Sequence, residues 1–299
     1  MSWSCPVCGS TAGSLRWRAA AADEPADDLR PSADQFGHTL GTTIRCGTCG
    51  HVSLETPPAE EVLAESYGDT ADPVSLREEA GQVETARRTL NEVERFAAPG
   101  RMVDLGCWTG SLMVAARERG WDVVGVEPST WASARARARG LDVRTSHWRD
   151  HGLARGAFRL VAMCDVLEHL VDPGAALDEI AALLEPGGAL LLTLPDAGSR
   201  LARLLGRRWW SVLPMHVQYF TRASLTRLLQ QHGFDIRVMR THAKVFSARY
   251  YVERLAGYSA ALERIGIAAV TRLGQDERLV APDFRDRMLV GATTRKREV

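Results

Sequence analysis

The sequence has no excess of either charge: 37 Lys and Arg stand against 37 Asp and Glu among its 299 residues. Proteins that wrap nucleic acid through its phosphates carry a strong basic bias, so this balance weighs against that class. Nor is there an apolar stretch long enough to span a bilayer. The opening residues, Met1 to Cys5, lack the basic and apolar regions of a secretory signal. The cytoplasm is therefore the expected compartment, where cysteines stay reduced. What is present is an ordinary globular composition, 45% hydrophobic and 25% charged, enough for a substantial core. It suits one large domain, or one domain with a small module.

Four of the six cysteines form two matched pairs, Cys5-Pro-Val-Cys8-Gly and Cys46-Gly-Thr-Cys49-Gly. In a C-x-x-C turn both thiolates can face one ion, and the following glycine lets the chain turn tightly. Four sulfurs suit a tetrahedral Zn²⁺ with no open position, which points to a structural metal. Disulfides are the first alternative, opposed by a reducing compartment; unconnected thiols are the second, opposed by the matched spacing. Cys107 and Cys164 stand apart, and His51 is expected at the surface. The module is placed at residues 1–56, with an Ala- and Asp-rich excursion at 19–30. A helical linker is expected over 57–98, with Leu63 and Tyr67 on one helical face. Val83, Leu90 and Val93 mark a second helix ending before Pro99.

From Arg101 strands and helices alternate. Asp104-Leu-Gly106-Cys107-Trp108-Thr109-Gly110 reads as a strand end and glycine turn, followed by a helix and a strand closing on Glu127. An acid at this spacing suits ribose hydroxyls. The turn is not the G-x-G-x-x-G of dinucleotide sites, and a carboxylate at Asp104 would repel a pyrophosphate. It suits a cationic ligand instead, such as the ammonium and sulfonium of S-adenosylmethionine. The stretch resembles the first motif of class I methyltransferases, D-x-G-x-G-x-G. The run Phe158 to Leu170, the glycine turn and strand from Leu183 to Pro195, the entry at Gly233-Phe234 and the strand from Met288 resemble later motifs of that family. The resemblance implies an α/β fold, a seven-stranded Rossmann-like methyltransferase sheet over residues 99–299, joined to an N-terminal zinc ribbon. It implies S-adenosylmethionine as cofactor, with contacts from Asp104, Gly106, Cys107, Trp108, Gly110, Glu127, Pro128, Cys164 and Asp165. Trp108 departs from the pattern by taking the middle glycine position, where its ring covers the methionine part of the ligand or narrows its room. Residues 145–150 offer no acid that aligns with the adenine contact.

Methyl transfer from a sulfonium needs alignment and, for some acceptors, a base. The acceptor is expected against a lid at residues 196–221. There His216 lies in a Pro-x-His-x-x-Tyr-Phe stretch resembling one in this methyltransferase group, and it is the first candidate base; a structural histidine of the lid is the alternative. Asp165, Glu168 and His169 share a face if a helix starts there, and His169 is the second catalytic candidate. A similar cluster binds a divalent metal in ubiquinone-pathway O-methyltransferases and small-RNA end methyltransferases, whereas in other relatives the acid caps the helix. His216 would complete such a site. Arg200, Arg203, Arg207 and Arg208, next to Trp209 and Trp210, either grip a phosphate or form a solvated face with Leu201, Leu204 and Leu205 buried. A helical insertion at 246–280 shapes the acceptor pocket or a homodimer contact. The reading is a methyltransferase acting on an oxygen, carbon or nitrogen of a sugar or secondary metabolite, as zinc-ribbon methyltransferases of deoxysugars do. The alternatives are an RNA methyltransferase gripping nucleic acid with the ribbon, and a catalytically inactive partner that kept the fold.

Overall fold

The sheet at the centre of the computed structural model is built from strands that are apolar on both faces, as parallel strands covered by helices must be. The structure describes residues 3–19, 36–60, 62–63 and 72–295. Its seven main strands are β4 (Arg101–Leu105), β5 (Asp122–Glu127), β6 (Asp142–Thr145), β7 (Phe158–Cys164), β8 (Leu184–Pro195), β10 (Phe234–Thr241) and β13 (Arg287–Thr294). They run in the order β10-β13-β8-β7-β4-β5-β6. All neighbours are parallel except where β13 inserts antiparallel between β8 and β10. Side chains alternate across the sheet: Leu160 and Ala162 join one core layer, Val161 and Met163 the other. This is the α/β seven-stranded arrangement the motifs implied.

The segment expected as a linker is instead part of a core layer. After the short α1 (Pro73–Arg77), α2 (Glu79–Val93) buries Val83, Ala86, Leu90 and Val93 on one stripe. That stripe packs with Met102, Met113 and Trp121. Each such apolar side chain contributes roughly 1.5–3 kcal/mol when fully buried, which binds the helix to the domain. Tyr67, and so its pairing with Leu63, lies outside the described residues, as does most of the 19–30 excursion. The remaining helices on the sheet are α3 (Ser111–Glu118), α4 (Thr130–Ala138), α5 (Pro173–Leu183) and α7 (Arg222–Gln231). Among the described residues no helix is long and apolar enough to cross a membrane.

The N-terminal strands β1 (Gly13–Trp17), β2 (Thr43–Cys46) and β3 (Val52–Leu54) form an antiparallel sheet whose fourth strand, β9 (Gln218–Tyr219), comes from the lid. His51, expected at the surface, is fully buried, and its Nε2 donates to Gln218 Oε1 at 2.8 Å. The reason is tertiary: the lid strand covers β3, and with it the histidine beside the second cysteine knuckle. Between β10 and β13, β11 (Phe246–Ser247) pairs with β12 (Leu279–Val280) and closes the base of the helical insertion. The insertion carries α8 (Ala248–Glu253) and α9 (Ala260–Arg272), and α9 buries none of its residues.

Candidate active site

A cleft of about 450 Å³ opens at the C-terminal ends of β4, β5 and β7, where α/β sheets present ligand sites. Its floor at one end is the glycine turn after β4. Gly106 and Gly110 have φ of +76° and +83°, angles that side chains resist. A Cβ at Gly106 would lie 2.4 Å from Val166 Cγ2, and one at Gly110 2.2 Å from Leu141 Cδ1. Conformation and space therefore both require glycine there. Trp108 takes a left-handed φ of +49°, the conformation of the glycine it replaces. Its ring lines the cleft beside Trp131, and its Nε1 donates to Ser75 Oγ at 2.9 Å. Ser75 is on α1, so the tryptophan ties that helix over the turn.

Asp104 and Glu127 are the buried acids of this end, exposed by only 2% and 3%. Glu127 accepts from Trp108 N at 2.8 Å and Ser129 N at 2.9 Å. Burial, and then the charge of Glu127, pushes Asp104 up to about 7. Burial likewise lifts Glu127 to about 7, against those two N–H groups. Two desolvated acids side by side favour a ligand that brings positive charge and hydroxyl donors. Pro128 and Cys164 line the same cleft, as does Cys107, which is itself buried. His147 and Trp148 stand on the wall where the sequence offered no acid.

The other end differs from the expected helix. Asp165 has a left-handed φ of +57°, and the chain continues in a single 3-10 turn, Leu167–His169. Asp165 is thereby aimed away from Glu168 and His169, into ion pairs with Arg287 and Lys244. It leaves the expected metal trio, and His216 takes its place: donor atoms of Glu168, His169 and His216 lie within 4.8 Å of one another. His216 Nδ1 faces Ser211 O at 2.8 Å and His169 Nδ1 faces Met215 O at 3.1 Å. A carbonyl only accepts, so both rings carry hydrogen at Nδ1 and a lone pair at Nε2. The rings meet edge to face at 4.6 Å. Burial lowers His169 to about 4, and burial followed by the neighbouring His169 takes His216 well below its ordinary value. Burial raises Glu168 to about 7, and its Oε2 has no hydrogen-bond partner among the described residues. Lys244, which lines the cleft, and Arg287 carried no sequence signal: they reach Asp165 from far along the chain, Lys244 from the loop between β10 and β11 and Arg287 from β13.

The arginine cluster is elsewhere. None of Arg200, Arg203, Arg207, Arg208, Trp209 and Trp210 lines the cleft. Arg207 donates to the backbone oxygens of Gly37 and Arg18, and buried Trp209 donates to Asp286 Oδ2 at 2.8 Å. Arg207 and Trp209 are thus engaged within the fold, while Arg200, Arg203 and Arg208 are exposed outside the cleft. The alternative, a helix burying its leucines, fails at Leu204, which is 82% exposed.

The four cysteines of the N-terminal sheet converge with Sγ atoms within 4.8 Å of one another. Cys5 and Cys49 sulfurs are 3.6 Å apart, and those of Cys8 and Cys46 3.5 Å. These separations exceed an S–S bond and approach the ~3.8 Å edge of a tetrahedron with Zn–S near 2.3 Å. Gly9 and Gly50, after each knuckle, have φ of +68° and +71°. Burial opposes the Cys46 thiolate, but N–H groups of Cys49 and Thr48 and the adjacent thiols outweigh it and bring the group to about 6.

A family model described as a methyltransferase domain matches residues 78–238. The chain is similar to a ubiquinone biosynthesis O-methyltransferase of Psychrobacter arcticus, with 29% identity over 53% of this chain and 68% of that protein. It is similar to the C-methyltransferase NovU of Streptomyces niveus, with 29% identity over 70% of this chain and 50% of that one. Two other ubiquinone biosynthesis O-methyltransferases, of Nitrobacter winogradskyi and a Bradyrhizobium strain, are matched over about two-fifths of their length. Among solved structures, geranyl diphosphate C-methyltransferase from Streptomyces coelicolor superposes with a TM-score of 0.52 at 17% identity, covering 80% of this chain and 99% of that chain. At that identity the likeness is one of fold.

Proposed function

The chain belongs to the methyltransferase-domain family, and on that premise we propose that it moves a methyl group from S-adenosylmethionine to a small-molecule acceptor, a sugar or secondary metabolite. The observation that carries this reading is one cleft with two unlike ends. Asp104 and Glu127 are buried at one, and His169 and His216 line the other, with buried Glu168 beside them. S-adenosylmethionine, when bound, supplies a methyl group on a sulfonium whose thioether leaves readily. Asp104 and the glycine turn hold the cationic end, and Glu127 accepts from the ribose hydroxyls. His216 receives at Nε2 the proton that the acceptor gives up, and Glu168 offsets the imidazolium charge. The names of the relatives, O-methyl transfer in ubiquinone biosynthesis and C-methyl transfer, support a small acceptor, as does the burial of His216.

In this reading the cysteine cluster holds a structural Zn²⁺, for which the sulfur separations are suited. The unpartnered Glu168 Oε2 supports a second reading of the acceptor end, in which a divalent cation sits on Glu168, His169 and His216 and lowers the pKa of an acceptor hydroxyl. Incubation with methyl-labelled S-adenosylmethionine and a panel of sugars, phenols and amines tests the proposal. Label should enter one class of acceptor, with an equal yield of S-adenosylhomocysteine. Cofactor binding without transfer to any acceptor, with or without added Mg²⁺ or Zn²⁺, would favour the inactive-partner alternative.

A further inference from the structure

We propose that the four-cysteine sheet is a positioning element for the His216 cluster, coupled to it by His51 and Gln218 as positioning residues. The inference rests on the methyltransferase reading of that cluster. β9 is two residues long, too short to hold its own place, and it exists as the fourth strand of the cysteine sheet. Val52 pairs with Tyr219 and Ser53 with Gln218, while Leu54 N donates to Val217 O at 3.1 Å. His216 lies two residues before the first residue of this strand. The same segment grips the other half of the cluster: Val217 N donates to Glu168 O at 3.0 Å, and His169 Nδ1 donates to Met215 O.

Side chains complete the link. His51 O accepts from Cys46 N at 2.8 Å, so the second cysteine knuckle sets its position. Gln218 Oε1 accepts from His51 Nε2, and its Nε2 donates to Leu170 O and Val171 O at 3.1 Å each. Both hydrogens of the amide are used, at the loop directly after the Leu167–His169 turn. Buried polar groups cost stability unless paired, and His51 and Gln218 are 0% and 3% exposed. The bond from His51 Nε2 to Gln218 is the one that pairs the ring, whose Nδ1 has no partner among the described residues. The chain of bonds therefore runs from the cysteine knuckle through β9 to both sides of the cluster. A module appended for a separate purpose would not need it.

The test uses the full chain with its bound metal and the variants His51→Leu, Gln218→Met and His51→Gln. Hydrogen exchange reads the amides of residues 215–219, ring ¹⁵N spectra read the tautomers of His169 and His216, and calorimetry reads S-adenosylmethionine affinity. His51→Leu and Gln218→Met should keep metal and cofactor affinity within about twofold. The 215–219 amides should exchange about tenfold faster, and the Nδ1–H pattern of His216 should give way to mixed tautomers. His51→Gln, which retains a donor, should restore both. If His51→Leu does not fold, Gln218→Met gives the same reading. Unchanged exchange and tautomers in the folded variants, with the cofactor still bound, would overturn the proposal. Absence of cofactor binding in the parent chain would count instead against the methyltransferase reading.

Discussion

Asp104 and Glu127 give the cofactor end of the cleft a pH dependence with a definite sign. Both acids are raised to about 7 by burial, so each is largely protonated at pH 6 and ionised at pH 8. A cationic ligand favours the ionised forms. S-adenosylmethionine affinity should therefore rise between about pH 6 and 8, with protons released on binding, measured by calorimetry in buffers of different ionisation enthalpy. The stability of the unliganded chain runs the other way. Folded-state values above the unfolded ones cost stability as pH rises from about 4 through 7. At the acceptor end, His216→Ala should lower turnover by roughly 10²–10⁴ while cofactor affinity stays within about threefold. Equal loss of both would make His216 a structural residue. The two acids were legible in the sequence because the strand–turn–strand spacing places them on adjacent strand ends. The company of His216 was not, since Glu168 and His169 stand 48 and 47 residues before it in the chain.

At the scale of elements, turns decide where the side chains go. The glycine turn was legible because its requirement is local: positive φ and a crowded floor. Gly110→Ala should cost about 1–3 kcal/mol of stability by urea denaturation, since its methyl group meets Leu141. A neutral effect would mean the turn yields more easily than its packing implies. The segment after β7 was misread as a helix because Asp165, Glu168 and His169 have helical spacing. The left-handed Asp165, held by Arg287 and Lys244, ends that register after one residue. No local pattern announces cations that arrive from β13 and from the loop after β10. Similarly, the apolar stripe of α2 was visible as a helix, but only packing shows that it belongs to the sheet's core layer.

Over the whole molecule, two sheets share one site. The seven-stranded sheet supplies the Asp104–Glu127 end proposed for the cofactor and leads into the Glu168–His169 turn, and the cysteine sheet supplies the strand beside His216. The seven-stranded class of the large sheet could be read from motifs along the sequence. The union of the sheets could not, because β9 is too short to leave a pattern. Cys46→Ser should abolish metal binding at the proposed tetrathiolate site, measured by atomic emission, and expose the module's amides to exchange while β4 to β8 remain protected. Retention of metal would refute the closed tetrathiolate. The central claim is that the cleft takes S-adenosylmethionine on Asp104 and Glu127, and titration calorimetry at about pH 7.5 tests it most directly. The account predicts saturable binding by the parent chain and roughly tenfold to hundredfold weaker binding in each of Asp104→Asn and Glu127→Gln, with folding intact by circular dichroism. No binding by the parent at millimolar ligand, or unchanged affinity in both variants, would contradict it.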